Sequence, residues 1–218
     1  MNCDHLLDLL VAYRSDRAFN QYREVDPELD LPDGPAIRRR NLRRYLETFA
    51  CARYALVGEA AGYAGCRFSG IPFTCEVQLV GPERLSWTDG LELARSSTAE
   101  ALWVERSDRI VWDALEGRTD CVLWNAFPWH PFGKRGPLSN RAPGRDLRDG
   151  LEVLRSFLAL FPSARPYAVG RVAQRALAQM GIDATYIRHP SHGGKPRFME
   201  GVAALGPEPC EGAASLPS

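Results

Sequence analysis

The chain has 218 residues, 45% hydrophobic and 25% charged, a composition that supports one buried core and excludes a low-complexity or membrane-spanning class. Lysine plus arginine (27) balances aspartate plus glutamate (27), so no global basic field points to nucleic acid, although a neutral chain can still bind DNA by confining its positive charge to one face. The six cysteines, Cys3, Cys51, Cys66, Cys75, Cys121 and Cys210, form no CxxC pair and keep no regular spacing, which argues against a disulfide framework and against a zinc site.

At the start, Met1 to His5 shows no basic segment followed by an apolar run, and no apolar stretch approaches membrane-spanning length; the expectation is a cytoplasmic protein with reduced thiols. Leu6, Leu7, Leu9, Leu10 and Tyr13 recur at helical spacing and predict an amphipathic N-terminal helix. Pro32, Asp33, Gly34 and Pro35 read as a loop before a helix over Ile37–Cys51, with Leu42, Tyr45, Leu46 and Phe49 inward. Its outer face carries Arg38, Arg39, Arg40, Arg43 and Arg44, a pattern that fits a phosphate grip and, more commonly, a solvated face. Tyr54 to Val57 is a short buried strand running into a loop with Gly58, Gly62, Gly65 and Gly70 and one carboxylate, Glu59, at the exit.

Ser96-Ser97-Thr98-Ala99-Glu100 resembles a capping sequence and predicts a helix from about Ala99 towards Leu115. Cys121 to Asn125 is a second buried strand ending on an amide, and Ala126 to Pro143 reads as the longest loop in the chain. Helices are predicted over Asp146–Phe161, Arg171–Met180 and Pro196–Leu205, with strands over Tyr167–Gly170 and Thr185–Arg188 between them. Strands alternating with helices imply an α/β fold: a three-layer α/β/α arrangement around a roughly four-stranded parallel sheet. The expected organisation is a single domain over residues 1–205 with a disordered tail over 206–218.

In open parallel sheets, ligands sit beyond the carboxyl ends of the strands. Three of the four strand exits deliver a group suited to chemistry: Glu59, Asn125 and His189. Taken singly, an Asn after a strand is commonly a turn former and a His before Pro a structural side chain. Three arriving on one sheet edge form a candidate site.

These residues carry a family likeness from Tyr54 to Leu205. Gly58-Glu59-Ala60-Ala61-Gly62 with Gly70-Ile71-Pro72-Phe73 resembles the GEAPG and G-x-PF signatures of bacterial members of the uracil-DNA glycosylase superfamily. Leu123-Trp124-Asn125-Ala126 is similar to that superfamily's strand-end Asn motif, Asn140-Arg141-Ala142-Pro143 to its NR-x-P loop, and His189-Pro190-Ser191 to its HPS motif. The resemblance implies hydrolysis of the bond between an extruded uracil and its deoxyribose, with uracil-containing DNA as partner, free uracil as product, no membrane association, a monomeric state and a bacterial, nucleoid-associated cytoplasmic location. It implies Glu59 and His189 as catalytic groups and Phe73, Asn125, Gly58, Gly62 and Tyr63 around the base. Arg141, Gly170, Arg171, Ser191, His192 and Lys195 would lie along the DNA. The chemistry agrees: an amide can pair with uracil N3–H and O4, an imidazole can donate to O2, and a carboxylate can oppose the sugar's positive charge and activate water.

Several positions depart from the pattern. Where the best-known branch carries a water-activating Asp, this chain has Ala60, which leaves Glu59 to act. Where that branch blocks the methyl group of thymine with a Tyr, this chain has Gly62, so thymine exclusion would rest on Tyr63 or another side chain. Iron-cluster-bearing relatives hold an N-terminal cysteine pair and a loop cysteine; here a single Cys3 and the pair Trp129-His130 stand instead, so no cluster, metal or other cofactor is expected. His130 could approach the base or a phosphate, and a structural role is the commoner one for such a residue. No leucine wedge follows the HPS motif, leaving His192 or Arg197 as candidates to fill the vacated stack. Two other readings remain: a protein of the same fold that senses uracil or single strands without cleaving, and a nucleotide-binding small-molecule enzyme, against which the lack of G-x-G-x-x-G and Walker patterns argues.

Overall fold

The structure is a computed structural model that describes residues 2–134, 136 and 139–206, so the expected tail lies, Gly206 apart, outside the described residues. Helix α1 (Cys3–Ala12) starts on Asn2, whose side chain accepts the His5 N–H at 3.0 Å, and buries Leu6, Leu7 and Leu10. A two-residue strand β1 (Ala18–Phe19) and helix α2 (Gly34–Thr48) follow; α2 opens on Pro35, where a missing N–H costs nothing, and buries Leu42, Tyr45 and Leu46. Strand β2 (Tyr54–Ala60) leads into two short helices, α3 (Cys66–Ser69) and α4 (Glu76–Val80). Then come α5 (Arg106–Leu115), β3 (Cys121–Phe127) and β4 (His130–Pro131). A 3-10 turn over Gly144–Gly150 runs into α6 (Leu151–Leu160), and β5 (Arg165–Val169), α7 (Arg171–Gln179), β6 (Thr185–Ile187) and α8 (Lys195–Ala203) complete the order.

Four strands form a parallel sheet in the order β3-β2-β5-β6, giving the three-layer α/β/α fold. α7 packs on β2 and β5, α6 on β3, α1 on α6, and α5 on α8. β3 lies at one end of the sheet yet is wholly buried, because α6 packs on it and α2 reaches it: Trp124 stacks on Phe157 of α6 at 4.4 Å, and the Leu123 N–H donates to the Tyr45 hydroxyl of α2 at 2.6 Å.

Several sequence expectations are corrected. β2 continues three residues beyond Val57, because its pairing with β3 runs on to Ala60 opposite Phe127; Glu59 therefore stands on the strand itself. No helix opens at Ala99. The Ser96 and Ser97 backbone N–H groups donate to the buried Glu76 carboxylate at 2.9 and 3.0 Å, and the would-be cap is consumed in holding that charge; α5 starts at Arg106. The long loop is interrupted by β4, which pairs antiparallel with β1.

Arg38 does not belong to a solvent face. It is fully buried and bidentate to Asp30 at 3.0 and 3.1 Å, with its Nε donating to the Gln21 carbonyl at 2.6 Å. Asp30 also receives Arg67, whose guanidinium lies 4.2 Å from the ring centres of both Phe19 and Phe68. Burial alone would raise the Asp30 carboxyl, but the bonds from Arg38 and Arg67 prevail and hold it below its ordinary value. Asp30→Ala leaves two buried guanidiniums without their carboxylate, and the expected cost is about 3–5 kcal/mol, or roughly 10 °C in Tm by calorimetry.

Candidate active site

β2 and β3 run side by side with Gly58 in register with Asn125. A Cβ at Gly58 would sit 2.1 Å from Phe73 Cζ and 3.1 Å from Asn125 Oδ1, so the missing side chain is the slot that lets the Phe73 ring lie beside the amide. Phe73 is held in the left-handed region at φ 53°, a conformation that costs about 1–3 kcal/mol for a bulky residue. Trp112 pins it there, its Nε1–H donating to the Phe73 carbonyl at 2.8 Å. Gly58→Ala is expected to force ring and amide apart, destabilising the chain by about 1–3 kcal/mol in denaturant titrations.

Asn125 is 2% exposed, and among the described residues no group hydrogen-bonds its side-chain amide. A buried amide is costly unless satisfied, and this one borders a cavity of about 470 Å³, within the range of ligand sites. Glu59, Phe73 and His189 line the same cavity. The three strand exits of the sequence analysis thus converge on one space.

His189 follows β6 and lies against Gly170, where a Cβ would meet the His189 Cβ at 3.3 Å. Its Nδ1 accepts the Ser191 backbone N–H at 3.2 Å and faces the Ser191 hydroxyl at 2.8 Å. Because a backbone N–H can only donate, Nδ1 carries no proton, and in the neutral ring the proton is on Nε2, which becomes a donor. Burial, then the positive charges of Arg188 and His192, lower the imidazole pKa to about 4. At neutral pH the site therefore holds an uncharged N–H donor. Glu59 is partly buried; burial raises its carboxyl above the ordinary value and Arg175 opposes the rise.

The lining carries groups of both signs, with Arg141 and Arg171 exposed and Asp108 buried. Arg141, Arg171, Arg188 and His192 stand at the wall, while Glu59, Glu105 and Asp108 supply carboxyl groups. Burial raises Glu105; burial and then the Glu105 charge raise Asp108 well above the carboxylate range.

No protein-family model matches the sequence, and no curated protein matches it. Among solved structures, the crystal structure of wild-type Pedobacter heparinus SMUG2 aligns with a TM-score of 0.58 over 93% of this chain and 96% of that chain, at 11% sequence identity. The two chains share a fold.

Of the residues singled out from the sequence, Glu59, Gly62, Phe73, Asn125, Arg141, Gly170, Arg171, His189, Ser191 and His192 line the cavity. Gly58 acts from behind the Phe73 ring. Tyr63 is not on the lining: its ring meets Trp103 and His130, and its N–H donates to Asn140 Oδ1 at 2.8 Å. Lys195 also lies off the lining, exposed at the start of α8, and none of the five α2 arginines reaches it. His130 is fully buried, with Nδ1 2.9 Å from the Ala61 carbonyl. Sequence reasoning missed Glu105 and Asp108. They lie i, i+3 inside the helix expected from Ala99 and belong to no motif; the signal that could have found them is the emptiness at Gly62 and Gly65, against which their carboxyl groups lie.

Proposed function

We propose that the chain is a DNA glycosylase that hydrolyses the N-glycosidic bond of an extruded uracil and leaves an abasic site. The observation that carries the reading is the Asn125 amide, which no described residue bonds and which opens onto the cavity that Glu59 and a neutral His189 share. Such an amide offers one donor and one acceptor side by side, the complement of uracil O4 and N3–H and the inverse of cytosine's N4 amino group and N3. A base must leave the duplex to reach such a pocket, and Phe73 provides a flat apolar face to stack on. The fold shared with SMUG2 and the glycosylase-like motifs support the same reading.

As the C1′–N1 bond breaks, its electron pair stays on the base, and negative charge grows on O2, where the His189 Nε2–H donates. Positive charge grows on the sugar; Glu59 opposes it and takes a proton from the water whose oxygen bonds to C1′. The uracil anion is then protonated from solvent and Glu59 returns its proton to solvent, so the reaction consumes one water and needs no further reactant. The arginines at the rim face the flanking phosphates.

The experiment is incubation with an oligonucleotide carrying one uracil, followed by hot alkali, which cleaves at abasic sites. Strand breakage at the uracil is the expected result. A second reading, a sensor that binds uracil without cleaving, draws on Ala60, which leaves the attacking water one carboxylate fewer; binding without breakage would select it.

A further inference from the structure

With a pyrimidine stacked on Phe73, its O2 at His189 and its N3–C4 edge at Asn125, the next ring atom away from His189 is C5. The strand order separates these anchors, His189 following β6 at one end of the sheet and Asn125 on β3 at the other. Asn140 belongs to the connection after β3 and β4, and by accepting the Tyr63 N–H it ties Gly62 and Tyr63 to that side. The wall facing C5 is therefore built around Gly62.

A glycine there leaves a gap, and the gap is filled from another element. An ideal Cβ on Gly62 would lie 2.9 Å from Glu105 Oε2 and 3.8 Å from Asn140 Oδ1. Glu105 reaches in from the start of α5, steadied by the Ser107 hydroxyl, which donates to Oε1 at 3.4 Å. Its Oε2 is enclosed; the Ala64 backbone N–H and the Asn140 amide lie close enough to favour the charged carboxyl, yet among the described residues none meets Oε2 at full hydrogen-bond geometry. Behind it Asp108, 4% exposed, presents beside Gly65 an Oδ2 that has no hydrogen-bond partner among the described residues. A ring C–H fits against such oxygens. A methyl group would press apolar surface onto these enclosed carboxyl oxygens, and would need the volume that the carboxyl occupies.

We propose that Glu105 is the specificity-determining residue that lets the site take uracil and refuse thymine, performing from α5 what a bulky side chain at position 62 would otherwise do. The inference rests on the glycosylase reading above, and the test separates the two. Single-turnover release is measured from matched duplexes carrying uracil or thymine opposite guanine, with the wild-type chain, Glu105→Ala and Glu105→Gln.

Glu105→Ala is expected to raise the thymine rate relative to the uracil rate by at least about tenfold, because an opened wall admits a methyl group worth a 10- to 200-fold discrimination. Glu105→Gln, nearly the same shape, is expected to keep the wild-type ratio. An unchanged ratio in Glu105→Ala, or an equal loss on both bases, overturns the assignment of Glu105. If circular dichroism finds Glu105→Ala unfolded, Glu105→Ser carries the same expectation and the same refutation. A wild-type chain that releases neither base refutes the glycosylase reading instead.

Discussion

Asn125→Ala is expected to lower the single-turnover rate of uracil release by about a thousandfold or more while leaving the melting temperature nearly unchanged. Removing a single preorganised donor from a site that stabilises developing charge costs about 10²–10³ in rate, and here donor and acceptor go together. A site built to hydrogen-bond its substrate also leaves that substrate's polar edge unpaired when the partner is deleted. The stability half of the expectation follows from the same geometry. Because the amide bonds to nothing among the described residues and borders open space, truncation breaks no internal hydrogen bond and creates no closed void. A large rate loss with an intact Tm assigns Asn125 to the substrate; a comparable loss of stability would assign it to the scaffold.

Glu59→Gln is expected to slow release by about 10²–10⁴-fold and to change the shape of the pH profile. In the wild-type chain the base must be ionised, so the rate falls as pH drops through the Glu59 pKa, which burial places above the ordinary carboxylate value of 4.5. His189 gains its proton only near pH 4, so the acid limb belongs to Glu59 and not to the imidazole. The glutamine variant has no group to titrate at that position, so the part of the acid limb that Glu59 contributes should vanish. An acid limb that survives unchanged in Glu59→Gln would remove Glu59 from the role of base.

Much of the frame was legible because buried strands and their polar exits are local features. Cys121 to Asn125 and Thr185 to Ile187 announce themselves by apolar runs that stop at a polar residue, and alternation with helices implied a parallel sheet. The strand order β3-β2-β5-β6 was not legible, since it depends on which helix covers which face. Arg38 looked like its neighbours on α2; only the presence of Asp30 eight residues earlier, with the carbonyls of Gln21 and Glu24, makes it an interior cation. Ser96 and Ser97 carry the composition of a helix cap, but a buried carboxylate twenty residues upstream takes their N–H groups.

The candidate site divides along the same line. Glu59 and Asn125 stand within the last three residues of their strands and His189 two residues past its own, so each could be placed from a short window. The polar wall at Gly62 and Gly65 could not, because a glycine says that space is needed without saying what will enter it. Glu105 and Asp108 arrive from some forty residues downstream, brought by the packing of α5.

The most direct measurement is a crystal structure of the protein soaked with free uracil. The account predicts the ring stacked on Phe73, O4 and N3–H paired with the Asn125 amide, O2 at the Nε2 of His189, and C5 towards Glu105. Uracil bound elsewhere, or a cavity left empty of it at saturating concentration, would contradict the account.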